Sequence, residues 1–441
     1  MRQYYIRGGT RIAGQIAVSG AKNAILPILA AVCLNKGESE IHNCPRIADT
    51  FISIEILKHI GCRVEFTGNT LYVDASQVSE INIPEEWVGQ MRSSVLFMGA
   101  MLGRTGQVNI AHPGGCDLGE RSIGYHIDGL RAMGAEIVAD NGILRCKGTL
   151  KGANIHLATA SVGATENLML AGIFAKGTTI ITNAAKEPEI VDLALFLNGM
   201  GAKVYGAGTS KITIEGTQAL TSTTHQVMPD RIVAGTYMAA AAMTAGIINL
   251  TSVRPEDLTP VTSELIKMGC EIKHGTDNIT VRGPKRLKAL PYLETAEHPG
   301  FPTDMQAQFV AALSVAEGRS TVMERIYESR DAHAKGLNIM GANIVTQSIP
   351  AGETTKKRTL FEIQGKQALT GAVVHANDLR GGAALILAGI AAQGDTVVRN
   401  AHYVERGYEC IEKDLSDVGA DVRLEVLDDG EKGLTNKAAC R

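Results

Sequence analysis

The sequence predicts an α/β protein built from six diverged copies of one unit. Two glycine signals recur along the 441 residues with a shared period of about 70 residues. Segments rich in Ala, Leu and Met precede one of the two signals. Two independent markers with one period indicate internal repetition of a single supersecondary unit.

The two signals differ in their sequence context. The first is an apolar residue followed by Gly-Ala or Gly-Cys, and its glycines lie 67–78 residues apart, at Gly61, Gly134, Gly201, Gly269, Gly341 and Gly419. The second ends each alanine-rich segment at intervals of 69–76 residues, at Gly37, Gly106, Gly177, Gly246, Gly318 and Gly394. Because glycine is typical of helix ends, each unit is predicted to run helix, strand, helix, strand.

The two helices of a unit differ in polarity. Segments such as 24–34, 167–175 and 383–392 are apolar on every face, whereas the helix before each first signal, such as 53–59, has a charged face. A helix without a polar face must be buried on all sides. We therefore expect three units to close around three inner helices clad by strands. Six units then form two similar inside-out α/β domains with a cleft between them.

Composition excludes several classes of function. The formal net charge is −3 and aromatic residues make up 4% of the chain, which disfavours binding to nucleic acid or to a membrane surface. The first seven residues contain no apolar signal-peptide segment, and we expect a cytoplasmic protein. The eleven histidines form no HxH or HExxH pattern, so no metal site is indicated. The oligomeric state is not predicted.

A glycine-rich loop carries the first candidate for chemistry, Cys116. Residues 112–121 contain three glycines and one proline, which predicts an exposed loop in which the thiol is not a core residue. The neighbouring Arg121 would favour the thiolate. Two interpretations stay open, a reactive thiol and an incidental surface cysteine.

Turns with basic or hydroxyl side chains precede several apolar helices. Backbone N–H groups at a helix N-terminus bind anions, so these turns are candidate phosphate sites. Taken singly, each is also explained by helix capping. The repeat, however, would gather them in one place. The turns are Lys22-Asn23, Arg92-Ser93-Ser94, Ser161-Val162-Gly163, Asp230-Arg231 and Asp378-Leu379-Arg380.

Asp304 is the carboxylate of interest. It follows Phe301-Pro302-Thr303 and precedes a further apolar helix. Such a residue either caps the helix or, at a cleft, acts as a general base. Both interpretations stay open at this point.

Together these segments resemble the enolpyruvyl transferases, in particular those that act on UDP-N-acetylglucosamine. The resemblance runs from about residue 4 to about residue 424, and its most specific part is 113–121, Pro-Gly-Gly-Cys-Asp-Leu-Gly-Glu-Arg. Further matching segments are 19–24, 161–165, 187–192, 228–231, 301–306, 378–380 and 405–408.

The resemblance implies an activity and a domain division. The enolpyruvyl group of phosphoenolpyruvate would pass to the 3-hydroxyl of UDP-N-acetylglucosamine with release of phosphate, the first committed step of peptidoglycan precursor synthesis. These two small molecules would be the partners, with no cofactor, no metal, no nucleic acid and no membrane. Residues 22–228 would form one domain, and residues 1–21 with 229–441 the other.

The resemblance also implies roles for individual residues. Cys116 would protonate the methylene carbon of phosphoenolpyruvate, and Asp304 would take the proton of the sugar 3-hydroxyl. The anionic groups of phosphoenolpyruvate would be held by Lys22, Arg121 and Arg406, with Arg92 and Arg380 nearby. The sugar would be held by Asn23 and Asp304, and the diphosphate by Ser161, Val162, Gly163 and Arg121.

Departures from the family and rival functions remain. Ala160 stands where some members have Lys, and residues 348–358 and the tail after 424 lie outside the family pattern. One rival is the shikimate-3-phosphate enolpyruvyl transferase, which lacks the cysteine loop. The other is a catalytically idle paralogue that binds a sugar nucleotide, against which the set of Cys116, Lys22, Asp304 and Arg406 argues.

Overall fold

The computed structural model describes residues 1–114, 123–350 and 357–427. Within these ranges the chain forms two compact units. The first unit comprises residues 20–114 and 123–228, and the second comprises residues 1–19, 229–350 and 357–427. Each unit buries a hydrophobic core of its own.

Two kinds of α-helix alternate in each unit, as the polarity pattern predicts. In chain order the helices are α1 Lys22–Ala31, α2 Ala48–His59, α3 Glu85–Val88, α4 Leu96–Thr105, α5 Gly124–Ala132, α6 Val162–Gly172, α7 Pro188–Gly199, α8 Arg231–Met243, α9 Thr259–Lys267, α10 Gln306–Ser314, α11 Ala332–Ile339, α12 Leu379–Ala391 and α13 Ile411–Asp417. Short 3₁₀ helices cover Val32–Leu34, Arg92–Val95, Pro255–Leu258, Thr303–Met305 and Ala401–Arg406.

The inner helices are α1, α4 and α6 in the first unit and α8, α10 and α12 in the second. They are buried along nearly their whole length: every residue of 232–242 in α8 and of 379–390 in α12 is buried. In each unit the three inner helices contact one another. The prediction that apolar helices lie inside is therefore confirmed.

Short strands surround these helices. In chain order they are β1 Arg2–Arg7, β2 Ala13–Ala17, β3 Glu38–His42, β4 Arg63–Thr67, β5 Thr70–Asp74, β6 Asn82–Ile83, β7 Gln107–Ala111, β8 Glu136–Asp140, β9 Ile143–Lys147, β10 Asn154–His156, β11 Thr178–Thr182, β12 Lys203–Tyr205, β13 Lys211–Glu215, β14 Thr223–Gln226, β15 Ile247–Thr251, β16 Glu271–His274, β17 Asn278–Arg282, β18 Leu293–Glu294, β19 Arg319–Glu324, β20 Ile344–Pro350, β21 Lys357–Gln364, β22 Val373–His375, β23 Asp395–Arg399 and β24 Asp421–Val426.

Within the described ranges the strands form six four-stranded sheets of one topology. In the first unit the orders are β14-β3-β5-β4, β6-β7-β9-β8 and β10-β11-β13-β12, and in the second they are β2-β15-β17-β16, β18-β19-β21-β20 and β22-β23-β1-β24. The first strand of each order is parallel to the second, and the remaining pairs are antiparallel. Each repeat therefore contributes a four-stranded sheet, two strands more than the sequence pattern predicts.

Some strands are supplied from a distant part of the chain. Strand β14 pairs with β3, from the start of the same unit, and β2 pairs with β15. Strand β1 completes the last sheet between β23 and β24. The N-terminal segment is thereby part of the second unit.

The glycines of the first signal end the outer helices, as expected. All six adopt positive φ angles of 89–110°, a conformation that side chains with a Cβ rarely adopt. Either side of residues 351–356, strand Ile344–Pro350 pairs antiparallel with Lys357–Gln364. Residues 351–356 and the tail from 428 lie outside the described residues.

Among the helices described, none is both long and apolar enough to span a membrane.

A glycine pair in α4 gives a test of inner-helix packing. A Cβ on Gly99 would overlap the side-chain and backbone oxygens of Asn167 on α6, whereas a Cβ on Gly103 would lie 3.4 Å from its nearest neighbours. We expect Gly99→Ala to lower the free energy of unfolding by about 1–3 kcal/mol, the usual cost of overpacking. Gly103→Ala, the matched control, should be neutral or stabilising, because alanine favours a helix by about 1 kcal/mol over glycine. Urea denaturation measures both, and equal stabilities of the two variants would contradict the packing.

Candidate active site

Lys22 is the first residue of α1, and its ammonium group is held by the neighbouring helix. Nζ lies 3.2 Å from Oδ2 of Asp49 on α2, and the two side chains are 15% and 1% exposed. Ala21 occupies the N-cap position of α1 and makes no side-chain capping bond, so Asn23 is not the cap. The charge of Lys22 and the positive end of the helix dipole coincide at this helix start. Such an arrangement suits an anion.

The turn before α6 is a capped helix start with two further donors. Ser161 is the N-cap, and its Oγ accepts a hydrogen bond from the backbone N–H of Ala164 at 3.3 Å. The capping interpretation is therefore confirmed for Ser161. The backbone N–H groups of Val162 and Gly163 have no acceptor within the helix, and no backbone partner among the described residues. They are available to a ligand oxygen.

A buried network reaches the same turn from α5. His126 is 6% exposed, and its Nδ1 lies 2.9 Å from Nδ2 of Asn167 on α6. Oδ1 of Asn167 accepts from the N–H of Gly99 on α4 at 2.8 Å. Burial, and secondly the charge of Arg92, lowers the pKa of His126 to about 3. The imidazole is therefore neutral at physiological pH.

Arg92 begins the 3₁₀ turn that leads into α4. Its Nη1 donates to the carbonyl oxygen of Pro113 at 3.4 Å, and its side chain is partly exposed. Arg92, His126 and the start of α6 all belong to the first unit. Cys116 and Arg121, the predicted acid and one predicted anion contact, lie outside the described residues.

Asp304 lies between two buried arginines of the second unit. Its Oδ1 is 2.9 Å from Nη2 of Arg330, and its Oδ2 is 3.2 Å from Nη2 of Arg380. The arginine side chains are 4% and 2% exposed, whereas that of Asp304 is 23% exposed. Met305, and not Asp304, occupies the N-cap position of α10, so the capping interpretation of Asp304 is wrong. Two guanidinium groups favour the ionised carboxylate.

Arg330 is itself fixed by a chain of hydrogen bonds. Its Nη1 donates to Oγ1 of Thr303 at 2.7 Å, and this hydroxyl donates to Oε2 of Glu324 at 2.9 Å. The other oxygen of Glu324 accepts from the backbone N–H groups of Ile326 and Tyr327. The carboxylate of Glu324 therefore orients the guanidinium that contacts Asp304.

Arg380 sits in the first turn of α12. The N-cap residue Asp378 accepts hydrogen bonds from the backbone N–H groups of Arg380 and Gly381. The guanidinium carbon lies 5.5 Å from the ring centre of Tyr408. Nη1 of Arg380 is buried and has no hydrogen-bond partner in the described part of the chain. Because buried N–H groups are normally satisfied, this atom is suited to a ligand oxygen.

Arg406 ends the 3₁₀ segment Ala401–Arg406 and is partly buried.

Of the predicted site residues in the second unit, the structure brings Asp304 and Arg380 into contact. The predicted residues Lys22, Asn23, Arg92 and Ser161–Gly163 are carried by the first unit. Over the described ranges no cluster of His, Cys, Asp or Glu side chains is placed to hold a metal ion.

Comparison with known proteins identifies the family. A family model described as EPSP synthase (3-phosphoshikimate 1-carboxyvinyltransferase) matches residues 6–415. UDP-N-acetylglucosamine 1-carboxyvinyltransferase 2 of Caldanaerobacter subterraneus subsp. tengcongensis is 49% identical over 96% of this chain and 99% of its own length. UDP-N-acetylglucosamine 1-carboxyvinyltransferase 1 of Symbiobacterium thermophilum is 45% identical over 95% of this chain and 94% of its own. The chain belongs to the enolpyruvyl transferase family.

Solved enolpyruvyl transferases have the same fold. The enolpyruvyl transferase NikO from Streptomyces tendae superposes with a TM-score of 0.85 at 25% identity, over 96% of this chain and 98% of its own. EPSP synthase from Acinetobacter baumannii gives a TM-score of 0.71 at 20% identity, over 97% and 100%, and shows the fold alone. The predicted family and fold class are confirmed.

Sequence reasoning missed three residues of this enolpyruvyl transferase that the geometry singles out. Arg330, Asp49 and His126 each contact or adjoin a predicted site residue. In the sequence Arg330 stands in a polar segment and Asp49 in the first turn of an outer helix, where both resemble solvated side chains. His126 stands in a helical segment in which polar and apolar residues are mixed. To find them, one must know which side chains the fold brings into contact.

The Asp304 pairing predicts a stability effect. Asp304→Asn leaves two buried guanidinium groups without their counter-charge, and uncompensated buried charges are strongly destabilising. We expect the free energy of unfolding to fall by up to about 3 kcal/mol. Asp277→Asn, at an exposed carboxylate of the same unit, should change it by less than about 0.5 kcal/mol. Denaturation curves at neutral pH measure both variants, and an Asp304→Asn protein as stable as its control would contradict the ion-pair geometry.

His333 on α11 predicts a pH effect. It is 2% exposed, stacks on Phe361 with ring centres 5.6 Å apart, and has no hydrogen-bond partner at either nitrogen in the described chain. Burial is the main cause that lowers its pKa to about 4; Arg330 acts in the same direction and Asp378 against it. Because the unfolded chain takes up this proton near pH 6.5 and the folded chain does not, acid lowers stability by about 1.4 kcal/mol per pH unit between these values.

His333→Leu should therefore gain stability relative to the wild type on acidification. Between pH 7.5 and pH 5 the difference should shift by about 2 kcal/mol in favour of the variant. His375→Leu, at an exposed histidine, is the control and should show no such shift. Urea denaturation at both pH values checks this. Parallel pH dependence of the wild type and His333→Leu would mean that His333 is not kept neutral by burial.

Proposed function

We propose that this enolpyruvyl transferase transfers the enolpyruvyl group of phosphoenolpyruvate to the 3-hydroxyl of UDP-N-acetylglucosamine and releases phosphate. The observation that carries the proposal is the identity of 43–49% to relatives named UDP-N-acetylglucosamine 1-carboxyvinyltransferase, over 95–96% of this chain. The product is the first committed precursor of peptidoglycan.

The reaction is an addition followed by an elimination. A proton added to C3 of phosphoenolpyruvate makes C2 cationic, and the sugar 3-oxygen then attacks C2. Loss of a proton from C3 and of phosphate from C2 restores the double bond. Charge changes at C2 while the phosphate and carboxylate stay anionic, so preorganised charges are the main source of catalysis.

Cys116 is assigned as the acid that protonates C3. An unperturbed thiol has a pKa of about 8.5, so it retains its proton near neutral pH. The glycine-rich sequence around Cys116 supports this role, since catalytic groups are frequent on loops.

Asp304 is assigned as the acceptor of the sugar proton. Its two arginine partners favour the ionised form, which is the form that can accept a proton. The same charges weaken its basicity. Proton transfer to Asp304 therefore becomes favourable only as the new C–O bond forms and the hydroxyl becomes acidic.

The anionic groups of the substrates are assigned to cationic side chains and helix starts. Lys22, Arg121 and Arg406 take the phosphate and carboxylate of phosphoenolpyruvate, with Arg92 and Arg380 nearby, and the buried Nη1 of Arg380 supports this assignment. Asn23 and Asp304 take the sugar. The diphosphate is assigned to Ser161, Val162 and Gly163 with Arg121, which the N–H groups of the α6 start support.

The alternative acceptor is shikimate 3-phosphate. The matching family model bears the name of that activity, but four relatives at 43–49% identity are named for the UDP-sugar. Phosphate release measured with phosphoenolpyruvate and each acceptor decides between the two. We expect release with UDP-N-acetylglucosamine only. Release with shikimate 3-phosphate, or with neither acceptor, would refute the proposal.

The role of Cys116 predicts a shifted pH profile. Replacing the thiol by Asp keeps a proton donor of similar reach but lowers its reference pKa to about 3.9. Cys116→Asp should stay active with its optimum moved toward acid, because less of the protonated form remains at neutral pH. Cys116→Ala should be nearly inactive. Phosphate release from pH 4.5 to 9 measures all three proteins.

The same variants have a covalent control. Fosfomycin, an epoxide that resembles phosphoenolpyruvate, alkylates the cysteine of the enolpyruvyl transferases that act on UDP-N-acetylglucosamine. It should inactivate the wild type and leave Cys116→Asp active, because the nucleophilic sulfur is gone. A Cys116→Ala protein of normal rate, or an unshifted profile of Cys116→Asp, would assign the acid to another residue.

A further inference from the structure

The imidazole of His126 lies against the first turn of α6. A Cβ placed on Gly163 would lie 3.4 Å from Cε1 and 3.6 Å from Nε2 of the ring. The absence of a side chain at Gly163 thus lets the Nε2 edge of a buried histidine adjoin the backbone of this helix start. His126 itself is 6% exposed.

The hydrogen bonds on the other edge of the ring assign its tautomer. The backbone N–H of Gly99 can only donate, so the atom of Asn167 that faces it at 2.8 Å is the amide oxygen. The amide NH₂ of Asn167 then donates to Nδ1 of His126 at 2.9 Å. Since Nδ1 accepts this bond, it carries no proton. In the neutral ring the proton is therefore on Nε2.

This Nε2–H has no acceptor in the described chain, where the ring makes one hydrogen bond, to Asn167. A ring N–H without an acceptor, on a residue that is only 6% exposed, marks a place for a ligand atom. The N–H groups of Val162 and Gly163 lie at the same helix start, at the positive end of the α6 dipole. The charge of Arg92 is close enough to lower the pKa of His126. All four features favour an anionic oxygen.

We propose that His126 is a binding residue for the diphosphate of the UDP-sugar, to which its Nε2–H donates a hydrogen bond at the start of α6. Asn167 and Gly99 are positioning residues, because their hydrogen bonds fix the ring orientation and the tautomer. The proposal rests on the proposed function for the identity of the ligand. Phosphoryl oxygens of the nucleotide and of phosphoenolpyruvate share this chemistry, and the experiment separates them.

Two substitutions test the two ring nitrogens of His126 separately. In His126→Asn the side-chain oxygen replaces Nδ1 and still accepts from Asn167, but the Nε2–H is lost. In His126→Gln the amide NH₂ replaces the Nε2–H, whereas the acceptor for Asn167 is lost. If His126 acts only through its contact with Asn167, His126→Asn should keep the affinity for UDP. If His126 binds the ligand through its Nε2–H, His126→Gln should keep that affinity instead.

Titration calorimetry with UDP, followed by phosphoenolpyruvate as a separate titrant, tests the assignment. Hydrogen bonds to charged groups correspond to a factor of roughly 10 or more in affinity, so His126→Asn should bind UDP at least about 10-fold more weakly than the wild type. His126→Gln should lie closer to the wild type, and the affinity for phosphoenolpyruvate should change in neither variant. Melting temperatures check that both variants are folded.

Three outcomes of the titrations would overturn the proposal. These are wild-type UDP affinity in His126→Asn, a greater loss in His126→Gln than in His126→Asn, and a loss of affinity for phosphoenolpyruvate in place of UDP. A wild-type protein that neither binds UDP nor releases phosphate would refute the proposed function instead. Imidazole ¹⁵N spectra of the wild type give a result without any variant: UDP should shift the protonated Nε2 and leave Nδ1 unprotonated, and an unchanged Nε2 signal would overturn the assignment.

Discussion

The burial of six apolar helices on every side is the constraint on which the rest of this structure depends. Residues 232–242 and 379–390 show its extent, since all of them are buried. A helix satisfies its own backbone in the middle but leaves N–H groups without partners in its first turn. The starts of the inner helices are therefore where polar groups must gather. Side chains cap α6, α8 and α12, whereas α1 has no side-chain cap and begins with a lysine.

The cations at these helix starts already have partners within the protein. Lys22 is paired with Asp49, and Arg380 shares Asp304 with Arg330. Isolated buried charges are costly, and a carboxylate partner removes most of that cost before any substrate binds. In the proposed function, a phosphate oxygen would bind Nη1 of Arg380 while Nη2 keeps its contact with Asp304.

The sequence could predict those elements whose residue composition recurs in every repeat. The six inner helices and the glycine-ended outer helices were accessible because burial and left-handed backbone demand particular residue types. The additional strands could not be predicted, because β6 and β18 are only two residues long and β14 and β2 pair with strands far away in the chain. Asp304 could be placed at a site by resemblance, but Arg330, its second partner, could not, because only the fold brings 304 and 330 together.

The two parts of the proposed chemistry, diphosphate binding and proton transfer, differ in their dependence on pH. His126 is neutral far below physiological pH, and the backbone N–H groups of α6 do not titrate, so the donors assigned to the diphosphate stay constant from weak acid to weak base. Burial and the charge of Arg92 lower the pKa of His126, because a protonated ring would be a second positive charge in this place. The pH dependence of turnover should then arise from the groups that transfer protons. In the proposed function, the diphosphate donors of α6 and His126 therefore keep their protonation state in this pH range, whereas the groups that transfer protons do not.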